Sequence, residues 1–372
     1  MKIAVTSDIT RISERGKPVP SHNTTTLWFK TLLEPVLTNI KDLSISEILS
    51  KESVYGTAAD AFDTEKLYEL CGLELNSQSW AKIYSGKLDA ESLDAAEKLI
   101  VQKYSEFDLV LGFELSDLMI QTFNKCRIPY IDAFIHPVRF HRDIIIAYRT
   151  NRRNVFRTLL ENAYFFSYED IYNNTAFERA KLYMTQGLGL EGNSCLFLGQ
   201  TNVDKSLIED GKIKSLFDFK DDFERLGQEY SKVYFKIHPY MAQNSELTDY
   251  LSSLDFVEII DENIYRLFGQ KSIEKIYSLS SSGCYEAKFF NKPADWLIKY
   301  PFEIVESNAD VVFSPLKYIP VKSECLVKQQ FWTDLLNVFQ ENLTNQNLEI
   351  HYQYGDIRRS IGKKWGYGFF EE

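Results

Sequence analysis

The chain has 372 residues, 44% of them hydrophobic, with 53 acidic against 42 basic side chains and a formal net charge of -11. That length exceeds one ordinary core and suits two α/β halves, while the acidic surplus argues against general nucleic-acid binding, which rests on many Lys and Arg contacts to phosphate. The five cysteines (Cys71, Cys126, Cys195, Cys284 and Cys325) are scattered, with no CxxC or Cys/His cluster, and read as reduced thiols rather than as a disulfide framework or zinc site.

In chain order, residues 2–7 (KIAVTS) read as a first buried parallel strand. Thr24 to Thr26 offer N-caps for a helix over LWFKTLLEPVL, which Pro35 bends or shortens. Residues 61–105, rich in Ala, Leu, Glu and Lys, read as two or three helices. A strand over 107–114 leads into a helix over 116–126, and 128–135 is the next strand. A largely helical stretch covers about 152–188. Strands then recur at 194–200, 232–238, 256–261, 275–280 and 295–299, and a last long helical segment covers about 323–344. No run approaches the roughly 20 apolar residues that cross a bilayer. The opening MKIAVTSDIT lacks the apolar core of a signal peptide, so the reading is a cytoplasmic protein.

Repeated β-α-β units predict parallel sheets covered on both faces. The glycine-rich GLGLEGN (187–193) marks the junction between an N-terminal Rossmann-like domain, 1–188, and a C-terminal one, 189–345. A tail, 346–372, is expected to pack back on the first domain. Two Rossmann-type domains facing a central cleft describe an α/β, GT-B-like architecture. Ligands in such sheets bind beyond the carboxyl ends of the strands.

At those ends, Lys236-Ile237-His238-Pro239 closes one strand of the second half, and Pro239 forces the chain to turn where His238 emerges. His238 is either a ligand contact or a locally hydrogen-bonded histidine. Ser280-Ser281-Ser282-Gly283 lies between a strand and a helix, where hydroxyls and free N–H groups suit a phosphate and Gly283 allows close approach; simple N-capping is the alternative. Glu286, one turn on, is read as gripping ribose hydroxyls or as a capping or solvated glutamate.

The His-Pro and Ser-Ser pair resembles the nucleotide site of bacterial transferases that use CMP-activated acidic sugars. Gly199-Gln200-Thr201-Asn202-Val203-Asp204-Lys205-Ser206, the run Tyr130 to Phe140 with His136, Pro137 and Arg139, and Gly112-Phe113-Glu114 resemble the bacterial retaining β-Kdo transferases of capsule and O-antigen synthesis. The matched segments run from about 107 to 295, roughly half the chain.

The resemblance implies transfer of Kdo from CMP-β-Kdo to a glycan or glycolipid acceptor with retention, by double displacement, which needs a carboxylate nucleophile and a group to manage the acceptor's proton. It casts Asp204 as nucleophile, Glu114 as acid/base, and His238 at the phosphate or reacting centre. Lys236, Ser280, Ser281, Ser282, Gly283 and Glu286 form the nucleotide site, and Gln200, His136 and Arg139 meet substrate; a guanidinium suits the Kdo carboxylate. Capping remains open for Asp204, for Glu114 (with Ser116 as competitor) and surface charge for Arg139. No metal and no other cofactor is implied, because the helix start, His238 and Lys236 meet the phosphate charge. At most peripheral association with the inner face of the inner membrane follows, through a basic and aromatic tail that includes Arg358, Arg359 and Trp365, or else that tail packs on the protein. A sialyltransferase, another sugar-nucleotide transferase, a two-domain epimerase and a non-catalytic nucleotide- or glycan-binding partner of capsule assembly are the competing readings.

Overall fold

The computed structural model describes residues 1–12, 20–51, 61–238, 241, 245–341, 343–344, 350–363 and 365–371, the side chains of 20–22 excepted. Pro239 lies outside the described residues.

The first lobe opens with β1 (Lys2–Ser7), α1 (Pro20–Leu37), β2 (Ser44–Glu47), α2 (Thr64–Leu70), α3 (Ser77–Ser85) and α4 (Ala90–Tyr104). It continues through β3 (Leu109–Phe113), α5 (Asp117–Lys125), β4 (Tyr130–Ile135), β5 (Ile146–Thr150), α6 (Arg153–Leu159), α7 (Tyr168–Asn174) and α8 (Ala176–Met184). Residues alternate between two cores along the strands, as a pleated strand buried on both faces requires. Ile3 and Val5 of β1 join Phe29 and Leu33 of α1 and Val155 of α6 on one face. Ala4 joins Trp80, Ile100 and Phe123 on the other.

The second lobe holds β6 (Ser194–Leu198), a small hairpin of β7 (Ile208–Glu209) and β8 (Lys212–Ile213), α9 (Lys220–Glu229), β9 (Lys232–Lys236) and α10 (Ser245–Ser252). It ends with β10 (Val257–Ile259), α11 (Ile264–Phe268), β11 (Ile273–Ser278), α12 (Ser282–Ala287) and β12 (Ala294–Trp296). Its sheet order, β10-β9-β6-β11-β12, is parallel throughout and doubly wound about β6.

The chain then returns. Strands β13 (Glu303–Ile304) and β14 (Lys317–Val321) complete the first sheet, β13-β14-β5-β4-β3-β1-β2, with β14 antiparallel to β5. Helix α13 (Gln329–Leu336) buries Phe331 and Trp332 in the first-lobe core. The expected division at 345 is therefore corrected: the second lobe closes at β12, and the segment from β13 onward belongs to the first sheet. The single long helix expected over 323–344 is instead a short 3-10 turn, Ser323–Val327, followed by α13. Helix α1 begins ahead of Thr24 and runs two residues past Pro35, so those threonines lie inside it.

Two α/β lobes, each built on a largely or wholly parallel sheet, thus meet across a cleft in a GT-B-like fold. The loop after β4 stitches them. Phe140 enters the second-lobe core, with ring centroids 4.8 Å from Phe290 and 5.5 Å from Phe289. The tail, with α14 (Asp356–Ile361) and α15 (Gly368–Glu371), straps this junction. Asp143, fully buried, accepts from Tyr352 Oη at 2.6 Å and from the N–H groups of Gly355 and Arg358 at 2.9 Å. The Arg358 guanidinium donates to the carbonyls of Arg139, His141 and Arg142. On the second lobe, Asn263 donates to the Gly366 carbonyl at 3.0 Å and Phe370 packs on Tyr265. Arg358, Trp365 and Phe370 of the tail thus serve packing, while the Arg359 side chain is exposed and pairs with Asp356. Among the described residues no helix is long and apolar enough to cross a membrane.

Candidate functional site

Glu114 is the first residue beyond β3, and its N–H still donates to Ala133 of β4 at 2.8 Å. Its φ of +57° is left-handed, a conformation that costs a non-glycine residue about 1 kcal/mol or more. That geometry turns the carboxylate toward the second lobe, where Oε2 meets Lys205 Nζ at 2.7 Å. Burial alone would raise the Glu114 pKa. The Lys205 ammonium, with Arg139 and Arg11 beyond it, more than offsets this and holds the carboxyl below its ordinary range.

Lys205 follows Asp204, which caps the 3-10 turn Lys205–Leu207 by accepting the Ser206 N–H at 2.9 Å. The ion pair therefore brings the first-lobe carboxylate and the second-lobe aspartate to one cleft. Arg11, in the loop after β1, also reaches across, donating to the Val203 carbonyl at 3.4 Å while its guanidinium lies 5.0 Å from the Trp80 ring centre. Tyr300 sits among these charges, under the influence of Arg139, Asp204, Glu114 and Glu286.

His238 and Lys236 emerge at the end of β9 on the same side. Burial depresses the His238 pKa, Asp204 opposes the shift and Lys236 adds to it. The Lys236 ammonium is likewise shifted down by burial, and its ion pair with Asp261 is loose at 4.0 Å.

The serine loop departs from expectation. Ser280 Oγ donates to the Ser206 carbonyl at 2.6 Å, and its N–H donates to Gln200 Oε1 at 2.6 Å. Gln200 Nε2 turns to Ser206 and Ser280 hydroxyls at 3.3 and 3.4 Å. Both residues thus tie the β6 loop to the β11 loop instead of pointing at a ligand. Ser281 caps α12 through the Gly283 N–H. A Cβ at Gly283 would lie 2.5 Å from Leu198 Cδ1, so a larger residue there would push that side chain aside where α12 starts against β6. Ser282 remains partly exposed at the helix start.

Glu286 is the clearest correction. It is 3% exposed, and its Oε1 accepts the N–H groups of Arg139 at 2.5 Å and Phe140 at 3.2 Å and the Tyr265 hydroxyl at 3.0 Å. It clamps the two lobes together and is closed to a ribose. Burial pushes its carboxyl up to about 7 despite those donors.

His136 is fully buried beside that clamp. Its Nδ1 accepts the Val138 N–H at 3.3 Å, which places the ring proton on Nε2, and Nε2 has no hydrogen-bond partner among the described residues. Burial, then Arg139, Lys288 and His141, keep it neutral with a pKa well below the usual value. Its expected open contact with substrate is corrected, since the ring is sealed edge-on to Tyr285 at 5.5 Å. Arg139 lies 4.7 Å over the Trp365 ring, and its Nη1 is buried with no hydrogen-bond partner among the described residues. Burial lowers its pKa, against the pull of Glu286, Tyr300 and Glu114.

Sequence reasoning passed over Lys205, Arg11 and Tyr300. Lys205 adjoined a candidate, and Arg11 lay just beyond a strand end, so the strand-end rule contained a signal for both. Tyr300 carried none.

No family model and no curated protein matches the chain. Among solved structures it is similar to a UDP-GlcNAc 2-epimerase from Methanocaldococcus jannaschii, at 15% identity and a TM-score of 0.27, over 100% of this chain and 99% of that one. It is similar to KpsC of Thermosulfurimonas dismutans, a beta Kdo 2,7 transferase, at 10% identity and a TM-score of 0.35, over 74% and 89%. A UDP-GlcNAc 2-epimerase from Neisseria meningitidis, bound to UDP-GlcNAc, follows at 12% identity and 0.29, over the whole of both chains. At such low identities and TM-scores these likenesses assign no function to the chain.

Proposed function

We propose that the chain is a glycosyltransferase acting on a nucleotide-activated sugar, with retaining transfer of Kdo from CMP-β-Kdo as its specific reaction. The observation that supports this reading is the Glu114–Lys205 ion pair between the lobes, with Asp204 next to Lys205 in the chain and both carboxylates within electrostatic reach of Tyr300. Paired carboxylates in a cleft are the machinery of double displacement.

In this reading Asp204 attacks the anomeric carbon, a carbon–oxygen bond forms and CMP leaves with its bonding electrons. Glu114, held ionised at neutral pH by Lys205, then takes the proton of the acceptor hydroxyl. That oxygen displaces Asp204 as a carboxylate, and loss of the proton from Glu114 to solvent restores the enzyme. His238, Lys236 and Ser282 meet the departing phosphate, and Arg139, whose Nη1 has no partner among the described residues, meets the sugar carboxylate. No metal enters the scheme.

Intact mass of the protein incubated with CMP-Kdo generated in situ tests it, with Asp204→Asn alongside. A sugar adduct on the wild type and none on the variant is the expected result. CMP release and product formation undiminished in Asp204→Asn would overturn the nucleophile. Turnover of a different nucleotide sugar and none of CMP-Kdo would move the donor assignment.

A further inference from the structure

A groove of about 450 Å³ runs along edge strand β12 and helix α12, and the catalytic scheme leaves it unused. Three rings line it in a row. Trp296 stacks on Tyr300 with centroids 5.2 Å apart and planes 18° apart, and Tyr300 stacks on Tyr285 at 6.3 Å and 28°. Phe302 continues the row edge-on at 5.4 Å from Tyr300. Lys288 and Glu306, paired with each other, give the groove a charged rim.

The groove and the cleft share Phe302 as a wall. Phe302 also lines a second cavity of about 270 Å³, whose wall includes Lys205. The Lys205 ammonium stands 5.1 Å from the Phe302 ring centre and pairs with Glu114. Tyr300, in the middle of the row, is within electrostatic reach of both Asp204 and Glu114.

We propose that this groove is an acceptor subsite that holds a saccharide chain, with one sugar against the Trp296–Tyr300 rings and the reacting sugar at Glu114. The inference rests on the glycosyltransferase reading. Centroid separations of 5.2 and 6.3 Å are those of offset stacks, which leave part of each ring face open to the C–H face of a pyranose, and a charged rim serves its hydroxyls. An alkyl chain fits less well, because it would strip water from the Lys288–Glu306 pair without replacing those contacts.

The full chain is tested on an array of bacterial surface oligosaccharides graded in length, as wild type, Trp296→Leu, Trp296→Phe and Tyr300→Leu, with thermal unfolding confirming that each is folded. The wild type is expected to retain oligosaccharides better than single sugars. Trp296→Leu and Tyr300→Leu should bind about tenfold more weakly, as for a well-packed aromatic anchor, and Trp296→Phe, which keeps a ring, within about threefold. No oligosaccharide binding by the wild type, equal affinity in all folded variants, or displacement of the glycan from the groove by free CMP would each overturn the subsite. CMP release from CMP-Kdo, followed separately, reports on the transferase reading itself. Turnover without Trp296-dependent binding sinks the groove alone, and Trp296-dependent binding without turnover of any donor sinks the enzyme alone.

Discussion

Replacing Glu286 by glutamine isolates the energetics of the lobe clamp. The folded protein holds this carboxyl with a pKa pushed from the usual 4.5 to about 7 by burial, so between those values the native state binds a proton that the unfolded chain has released. Stability therefore falls as pH rises through that window, and the penalty is complete above the folded pKa. Moving a carboxyl from 4.5 to about 7 corresponds to about 3 kcal/mol. Glutamine keeps a carbonyl oxygen for the Arg139, Phe140 and Tyr265 donors but cannot ionise. Urea unfolding of wild type and Glu286→Gln across about pH 4 to about pH 8 cancels every other titration in the difference between them. The wild type should lose about 3 kcal/mol relative to the variant over that range, most of it between pH 4.5 and 7. A difference that stays flat would mean that the three donors keep the carboxyl ionised throughout, and would refute the dominance of burial.

Glu114→Gln should lower the rate of CMP release in the presence of acceptor by about 10²- to 10⁴-fold, as loss of a general base does, while leaving the unfolding midpoint close to wild type. Lys205→Met removes the main cation that lowers the Glu114 pKa, so the acid limb of the pH–rate profile should move to higher pH; an unmoved limb would show that Glu114 is not the titrating base. Asp143→Ala strands the buried donors of Gly355, Arg358 and Tyr352 and should cost about 3 kcal/mol in unfolding free energy, with the tail becoming sensitive to protease. Prolonged treatment with chelator should leave activity unchanged, and loss restored by a divalent ion would refute the metal-free scheme.

The strands that were legible in the sequence are those whose residues are buried almost throughout: β1, β3, β4 and β6 read as mainly apolar runs, β4 in spite of Asp132. Strand β14 was hidden because Lys317–Val321 contains Pro320, which argues against a place inside a sheet. Its carbonyl nevertheless accepts from Phe166, and its neighbours pair with β5. Strand β5 was hidden by Arg149, a charge that looks wrong for an interior until Asp132 is seen 2.8 Å away with the Tyr318 hydroxyl on the same carboxylate. At the cleft, strand ends pointed to Lys236 and His238, since chain direction alone places such residues, whereas Glu114 and Asp204 were singled out by the resemblance of their segments. The partners of Glu286 were not readable: its donors at Arg139 and Phe140 come from the other lobe, and no local pattern encodes a contact across so many residues.

The way the chain returns to its first sheet also fixes an order of assembly. All five strands of the second sheet, ending at Trp296, leave the ribosome before Lys317, where β14 begins. The second lobe can therefore close while the first still shows the bare edge of β5, which waits for a partner made after that lobe is complete. An open edge of this kind is where nascent chains pair with one another. A chain terminated shortly before Lys317 would join a finished second lobe to a first lobe with that edge uncovered.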